Sequence, residues 1–498
     1  MGLHDSVDLL VTARLGAAVA LLAAHLLRND ALHRRLELLE AAQAQDQASP
    51  HGSRRQLAQA QEAAPLLAQL EVFLARGLVS EEAVLEVVRA CKEQAAGLRR
   101  RFVGDVEEEA AVLKVVSYNI LADMYAMRNR EKHSASCPAE QLAWPSRKRR
   151  LLHEIQSYSA DVVCLQEVQQ EHFEADLKPF MAAAGYDCIY ILRTPVSRVR
   201  VGAPEDGIAI FWRESSCQLV HKQEALFADL VGCSSVVCDN DTSSHVQNIM
   251  KEKGGVISAL FRHVPSGHLF VTANTHLFHD PRHADIKVSQ AFMYCRFVQD
   301  FARRLRLPSE TPLLMCGDFN SQPQLNHNEI QLNPNEVTLT FHGGEQSGVY
   351  ELLSSGSLQT SHMHHPAAWN PKNNSSIDAM HLRAGSERAD PLRFHSAYRH
   401  WLGMEPCFTT KTPNFTDTID YIWLSQAAAD GLCGVLGGVP VADKTSARFD
   451  GVASVQEAQE SVVDASDFSM TGLPDQVRFA SDHLAIGCVI RLSSNDQS

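Results

Sequence analysis

The sequence has no excess of positive charge: 45 lysines and arginines against 59 aspartates and glutamates leave a formal net charge of −14. Sequence-blind binding to long nucleic acid takes most of its affinity from basic faces, so that class of function is disfavoured. A short, metal-assisted contact with a nucleic-acid end is untouched by this argument. Paired cysteines at metal-ligand spacing are also missing among the twelve present, and Cys233 and Cys238 read as unrelated. Cys164 and Cys316 lie inside apolar, strand-like runs, which suits buried free thiols in a reducing compartment. No internal repeat is evident. Nor is there a clean membrane span near the start: Arg14 and His25 interrupt "LLVTARLGAAVALLAAHLL" (9–27). Leu15 to Ala24 is too short to cross a bilayer, and the segment reads as a packed or interfacial helix. Asp5 and Asp8 weaken a mitochondrial presequence, while Gly2 and Ser6 match a loosely specified myristoylation pattern. A cytoplasmic location is expected, with mitochondrial or membrane-associated placement as the alternatives.

What is present divides into two textures. Residues 1–110 look helical, in two segments joined by a polar linker at about 46–56 that contains Pro50 and Gly52. From residue 111 to 498, short Val/Ile/Leu runs alternate with helical stretches, the pattern of a mixed α/β domain. Polar insertions at about 233–250, 361–390 and 441–470 read as surface loops. The "SHMHHP" at 361–366 lacks ordered spacing and reads as solvated histidines.

The informative feature is where strand-like runs meet polar residues. "VLKVVSYN" ends at Asn119, "DVVCLQE" at Glu167, "HLFVTANTH" at His276, and "LLMCGDFN" at Asp318 and Asn320. Asp420 opens "DYIWL", and Asp482 and His483 precede "LAIGCVI". In a mixed sheet an antiparallel strand starts on the rim where its neighbours end, so all eight groups can line one cleft. Each alone has a plain reading as a turn or strand-end residue; their joint occurrence does not. Crowded carboxylates repel unless a cation is present. All-oxygen ligation without cysteine selects Mg²⁺, with Mn²⁺ as a substitute. Such an ion beside histidines suits hydrolysis of a phosphoester.

These same segments, "SYNILAD", "ADVVCLQEV", "ANTHLFHDP", "CGDFNSQP", "TPNFTDTIDYIW" and "SDHLAI", resemble in order the signature motifs of the endonuclease/exonuclease/phosphatase superfamily. Within it they are similar to the branch of carbon catabolite repressor 4-type deadenylases, nocturnin, Angel proteins and 2′,5′-phosphodiesterases. The resemblance implies a four-layer α/β sandwich over about 112–492, two mixed sheets flanked by helices, following the helical extension. It implies Glu167, Asn119 and Asp482 on the metal side, and Asp318 as the residue that orients or activates water. Asn320 and His276 would contact the scissile phosphate, and His483 would bind it while held by Asp420. Pro281 and Phe415 match residues that sandwich a terminal adenine. Where the branch carries an amide and an aromatic, this chain has Thr410 and Lys411, and Lys411 is a candidate phosphate contact.

The expected function is Mg²⁺-dependent 3′-end hydrolysis of poly(A) or 2′,5′-oligoadenylate, releasing AMP. The alternatives are a nucleotide 2′-phosphatase, a sphingomyelin-type lipid phosphodiesterase, or an inactive module that binds RNA or a partner. The N-terminal helices are the expected surface for a protein partner. No leucine-rich repeats precede the domain, which argues against docking to a deadenylase complex by that route.

Overall fold

The computed structural model describes residues 100–104, 112–133, 136–194, 204–231, 253–325, 346–369, 380–382, 392–441, 462–464, 473–474 and 479–492. The expected N-terminal helices and linker, Gly2, Cys233 and Cys238 lie outside them. The unit described runs from Arg101 onward. Among the described residues, no helix is long and apolar enough to cross a membrane.

Two sheets form the centre. The first has seven strands in the spatial order 102–104, 432–436, 486–491, 112–119, 162–169, 206–213 and 186–192. The second has six, in the order 395–396, 420–424, 313–318, 269–276, 255–263 and 217–226. One pair in each sheet is parallel, Val112–Asn119 with Val162–Gln169, and Leu269–His276 with Leu313–Asp318. Both parallel pairs require a crossover, supplied by the helices Trp144–Ser157 and Ala284–Arg304.

Period-two alternation sets the layers. Val115, Cys164, Ile210, Ile257, Leu314, Cys316, Ile422 and Cys488 share one buried cluster between the sheets. Their neighbours face outward: Val116, Val163 and Phe211 meet Leu151 and Ile155 of one helix, and Val271, Met315 and Trp423 meet Phe292 and Val298 of the other. The result is the expected helix–sheet–sheet–helix sandwich, with Cys164 and Cys316 as buried free thiols. Between the sheets, Gln166 Nε2 donates to Asn274 Oδ1 at 2.8 Å. Asn274 Nδ2 in turn donates to the carbonyls of Leu165 and Ala209, each at 2.9 Å. This buried amide contact couples the two sheets across the core.

Two local expectations need correction. Phe102–Gly104 is the edge strand of the first sheet, paired with Leu436–Gly434, so the sheet begins before residue 111; three residues are too few for alternation to announce a strand. The histidines of "SHMHHP" are not solvated: His364 is 5% exposed and His365 0%. His364 Nδ1 accepts the Gly348 N–H at 3.1 Å, packing that segment onto the start of the helix Gly348–Ser355.

Candidate active site

Strand register assembles half the site before any side-chain contact is considered. His276 and Asp420 are both Cα partners of Asp318, from its parallel and antiparallel neighbours. Gly317 permits that approach: a Cβ there would stand 2.6 Å from the Thr275 carbonyl oxygen. The glycine before Asp318 is therefore a packing requirement, not a turn signal. On the facing sheet, Asn119 pairs with Gln166, next to Glu167. The ladder breaks between Leu165 and Val168, and Glu167 takes a left-handed φ of 56°. Leu121 (φ 54°) and Asn320 (φ 49°) do the same. For non-glycine residues each such conformation costs on the order of 1–3 kcal/mol, so the surroundings must hold it.

Asn119 joins the halves. Its Nδ2 donates to Glu167 Oε1 at 3.1 Å and to Asp318 Oδ2 at 2.9 Å. The Leu121 N–H holds Asn119 Oδ1 at 3.0 Å, and the Ala122 N–H holds Glu167 Oε2 at 3.0 Å. Asp318 Oδ2 also lies 3.4 Å from His276 Nε2 and 3.9 Å from His483 Nε2. The Asn320 N–H donates to Asp318 Oδ1 at 2.9 Å, and Asn320 Nδ2 to the Leu277 carbonyl at 3.0 Å. His483 Nδ1 is 2.8 Å from Asp420 Oδ2, which accepts Thr409 Oγ1 at 2.6 Å.

Burial and opposing charges separate the protonation states. Burial, with Asp482 and Asp206 nearby, pushes Glu167 up to about 7. Burial and Asp420 push Asp318 up to about 6. Burial disfavours the His483 imidazolium, yet Asp420, Asp318 and Asp482 outweigh it and hold the ring well above its ordinary value. His276 goes the other way: burial, then Arg193 and His483, hold it well below. One histidine is thus a cationic donor and the other neutral.

Asp318, Asp420 and His483 place ligand atoms within 4.8 Å of one another, a group that could hold a metal ion. Within that trio His483 Nδ1 is hydrogen-bonded to Asp420 Oδ2 at 2.8 Å, while His483 Nε2 stands 3.9 Å from Asp318 Oδ2. The unsatisfied oxygens point to a cation more directly: Asp420 Oδ1 and Asp482 Oδ1 are buried without a hydrogen-bond partner. With the raised Glu167 close by, this oxygen-rich set fits a hard divalent cation.

Of the three expected substrate contacts, one lies on a loop and two on a hairpin. Pro281 is exposed, just beyond the His276 strand. Phe415, 41% exposed, stands on a hairpin in which Thr410–Thr412 pairs with Phe415–Asp417. The Lys411 N–H donates to the Asp482 carbonyl at 3.1 Å, tying that hairpin to the site, while Lys411 Nζ lies 5.4 Å over the Phe408 ring. Sequence reasoning passed over two residues. His133 is buried, with Nε2 4.0 Å from Asp482 Oδ2; nothing in its surroundings in sequence marks it. Arg147 is wholly buried and did carry a signal. It occupies the apolar face of its helix, in line with Trp144, Leu151 and Ile155.

A sequence model of the Endonuclease/Exonuclease/phosphatase family matches residues 116–483, a span that takes in every residue of this centre. The chain belongs to that family. Among its relatives, the CCR4-Not complex 3′-5′-exoribonuclease subunit Ccr4 of Yarrowia lipolytica is 29% identical over 405 residues. That alignment covers 75% of this chain and 47% of the relative, so the chain spans about half its length. Carbon catabolite repressor protein 4 homolog 4 of Arabidopsis thaliana is 31% identical over 336 residues, 63% of this chain and 67% of that one. These relatives place the chain in the Ccr4-like branch. The crystal structure of ANGEL2, a 2′,3′-cyclic phosphatase, shares the fold, with a TM-score of 0.52 at 22% identity over 79% of this chain and 98% of that one.

Proposed function

We propose that this protein is a Mg²⁺-dependent phosphodiester hydrolase that works from the 3′ end of RNA. It releases AMP from poly(A) or 2′,5′-oligoadenylate, and Mn²⁺ substitutes for Mg²⁺. The observation that carries the reading is the joining of Glu167 to Asp318 through Asn119, with His276 and Asp420 in register beside Asp318. The name of the Yarrowia lipolytica relative, a 3′-5′-exoribonuclease subunit, supports RNA as the substrate class.

Glu167, Asn119 and Asp482 would hold the ion, which when bound polarises phosphoryl oxygens and offsets the crowded negative charge. Asp318, raised to about 6, is suited to orient a water and accept its proton near neutral pH. Its Oδ1 is held by the Asn320 amide and its Oδ2 by Asn119 Nδ2, which fixes the carboxylate beside His276 and His483. His483 donates from Nε2 to the charged phosphate while Asp420 anchors Nδ1, an arrangement that sets the tautomer and keeps the cation in place. His276 and Asn320 flank the same phosphate. Phe415 and Pro281 stack on the terminal adenine, and Lys411 meets a neighbouring phosphate. Stacking of this kind contributes roughly 1–3 kcal/mol per base. The protein acts in the cytoplasm, and residues 1–110 serve a protein partner.

The test uses 5′-labelled A₁₀ with a free or a phosphorylated 3′ end, in Mg²⁺. Stepwise shortening of the free end, with the blocked end slowed, supports the reading. Internal cleavage of both substrates, or no cleavage with Mg²⁺ or Mn²⁺, contradicts it.

A further inference from the structure

We infer that Arg147 is a positioning residue that locks the loop supporting Asn119 and Glu167 to the loop carrying Asp482 and His483. It sits behind the cleft on the Trp144–Ser157 helix, wholly buried, and no carboxylate closer than Asp123 Oδ1 at 3.9 Å balances it. Its donors go instead to four backbone carbonyls. Nη1 donates to Ile120 at 3.1 Å and to Ala480 at 2.9 Å. Nη2 donates to Leu121 at 2.8 Å, and Nε to Leu142 at 2.5 Å.

Three of those carbonyls lie on the two segments that build the site. Ile120 and Leu121 belong to the segment that leaves Asn119; its amides hold Asn119 Oδ1 and Glu167 Oε2. Leu121 adopts its left-handed conformation (φ 54°) while its carbonyl is gripped by the guanidinium. Ala480 opens the segment that carries Ser481, Asp482 and His483. Ser481 Oγ donates to the Asn119 carbonyl at 2.7 Å and accepts the His483 N–H at 3.2 Å. One rigid, planar group thus spans two loops far apart in sequence, one supporting Asn119 and Glu167 and the other carrying Asp482 and His483. A guanidinium suits this bridging position because it offers five donors in a fixed fork, whereas a lysine ammonium offers three from a single point. Displacing either loop by about 1 Å is enough to lower a rate by roughly 100-fold.

The inference rests on the hydrolase reading above, and the wild-type enzyme separates the two. If wild type does not cleave, the reading fails; if wild type cleaves and the variants match it, the inference fails. The experiment compares Arg147→Lys, Arg147→Ala and Leu353→Ala, the last a core deletion outside the site. Each is measured for Tm, kcat, KM on a short oligoadenylate, and Mg²⁺ affinity by calorimetry. The expected result for Arg147→Lys is a kcat lowered about 100-fold with KM changed less than about threefold. Mg²⁺ binding should weaken about tenfold, within the range for lost supporting contacts at a metal site. Leu353→Ala should lose Tm while keeping kcat within about threefold. Methylguanidinium, filling the space left in Arg147→Ala, should restore part of kcat. Should Arg147→Ala fail to fold, Arg147→Lys carries the test. A kcat that falls only as Tm falls, matching Leu353→Ala, with unchanged Mg²⁺ affinity, overturns the inference.

Discussion

Replacing Glu167 with glutamine should remove a pH-dependent loss of stability from the metal-free protein, so that the variant gains on wild type as pH rises. Glu167 is held near 7 in the folded state by burial, Asp482 and Asp206, against 4.5 ordinarily. The folded protein therefore binds the proton more tightly than the unfolded chain between those values. Stability falls with increasing pH across that window and is level above it. About 2.5 pH units at 1.36 kcal/mol each gives about 3 kcal/mol, an upper bound because Glu167 is partly open to the cleft. Glutamine is the neutral isostere and mimics the protonated acid. Wild type and Glu167→Gln, unfolded by urea in EDTA, should differ little relative to each other's baseline at pH 4.5. The difference should then move in favour of the variant by up to about 3 kcal/mol by pH 8. Adding Mg²⁺ should stabilise wild type alone, by mass action on a site the variant has lost. A pH-independent difference, or one that moves toward wild type with increasing pH in EDTA, would refute the electrostatic reasoning.

Three further outcomes follow from the packing around the site. Asp206 accepts Arg193 Nε at 2.8 Å deep in the fold, so Asp206→Asn strands a buried guanidinium and should cost about 3–5 kcal/mol in urea unfolding. Asn274→Leu removes the side-chain donor to the Leu165 and Ala209 carbonyls and one of the three acceptors of Gln166 Nε2. At about 1–3 kcal/mol per orphaned group it should lower Tm sharply, and a loss under about 1 kcal/mol would show that the inter-sheet amides are dispensable. Phe415→Ala, at an exposed position, should leave Tm unchanged and weaken binding of oligoadenylate by about 1–3 kcal/mol, read as KM.

Much of this site is legible without coordinates because strand ends carry two kinds of information at once. An apolar alternation that stops on a carboxylate or amide marks both the rim of a sheet and the group displayed there. Asn119 and Asp318 follow that rule, His276 ends its strand on an imidazole instead, and Asp420 marks the same rim by opening an antiparallel strand. Gly317 is legible only in part: its identity was visible, but the Thr275 carbonyl that excludes a Cβ comes from another strand. The edge strand Cys217–Leu226 escaped notice because one face lies in water, so "CQLVHKQEAL" shows no apolar run. Asp482 and His483 stand ahead of a strand that begins only at Ile486, and a loop bound by Arg147 and Ser481 brings them to the rim. The buried histidines at 364 and 365 look like a polar loop because they accept the Gly348 and Ala367 N–H groups, and backbone partners leave no mark in composition.

The most direct test of the central claim is a time course of AMP release from 3′,5′-A₁₀, 2′,5′-A₃ and a mixed-sequence RNA. Wild type and Asp318→Ala are each run in Mg²⁺ and in EDTA. The predicted result is AMP from an adenylate substrate with wild type in Mg²⁺ only, a loss of at least about 100-fold with Asp318→Ala, and faster turnover of one linkage. AMP release that survives either EDTA or Asp318→Ala would contradict it, as would no release from any of the three.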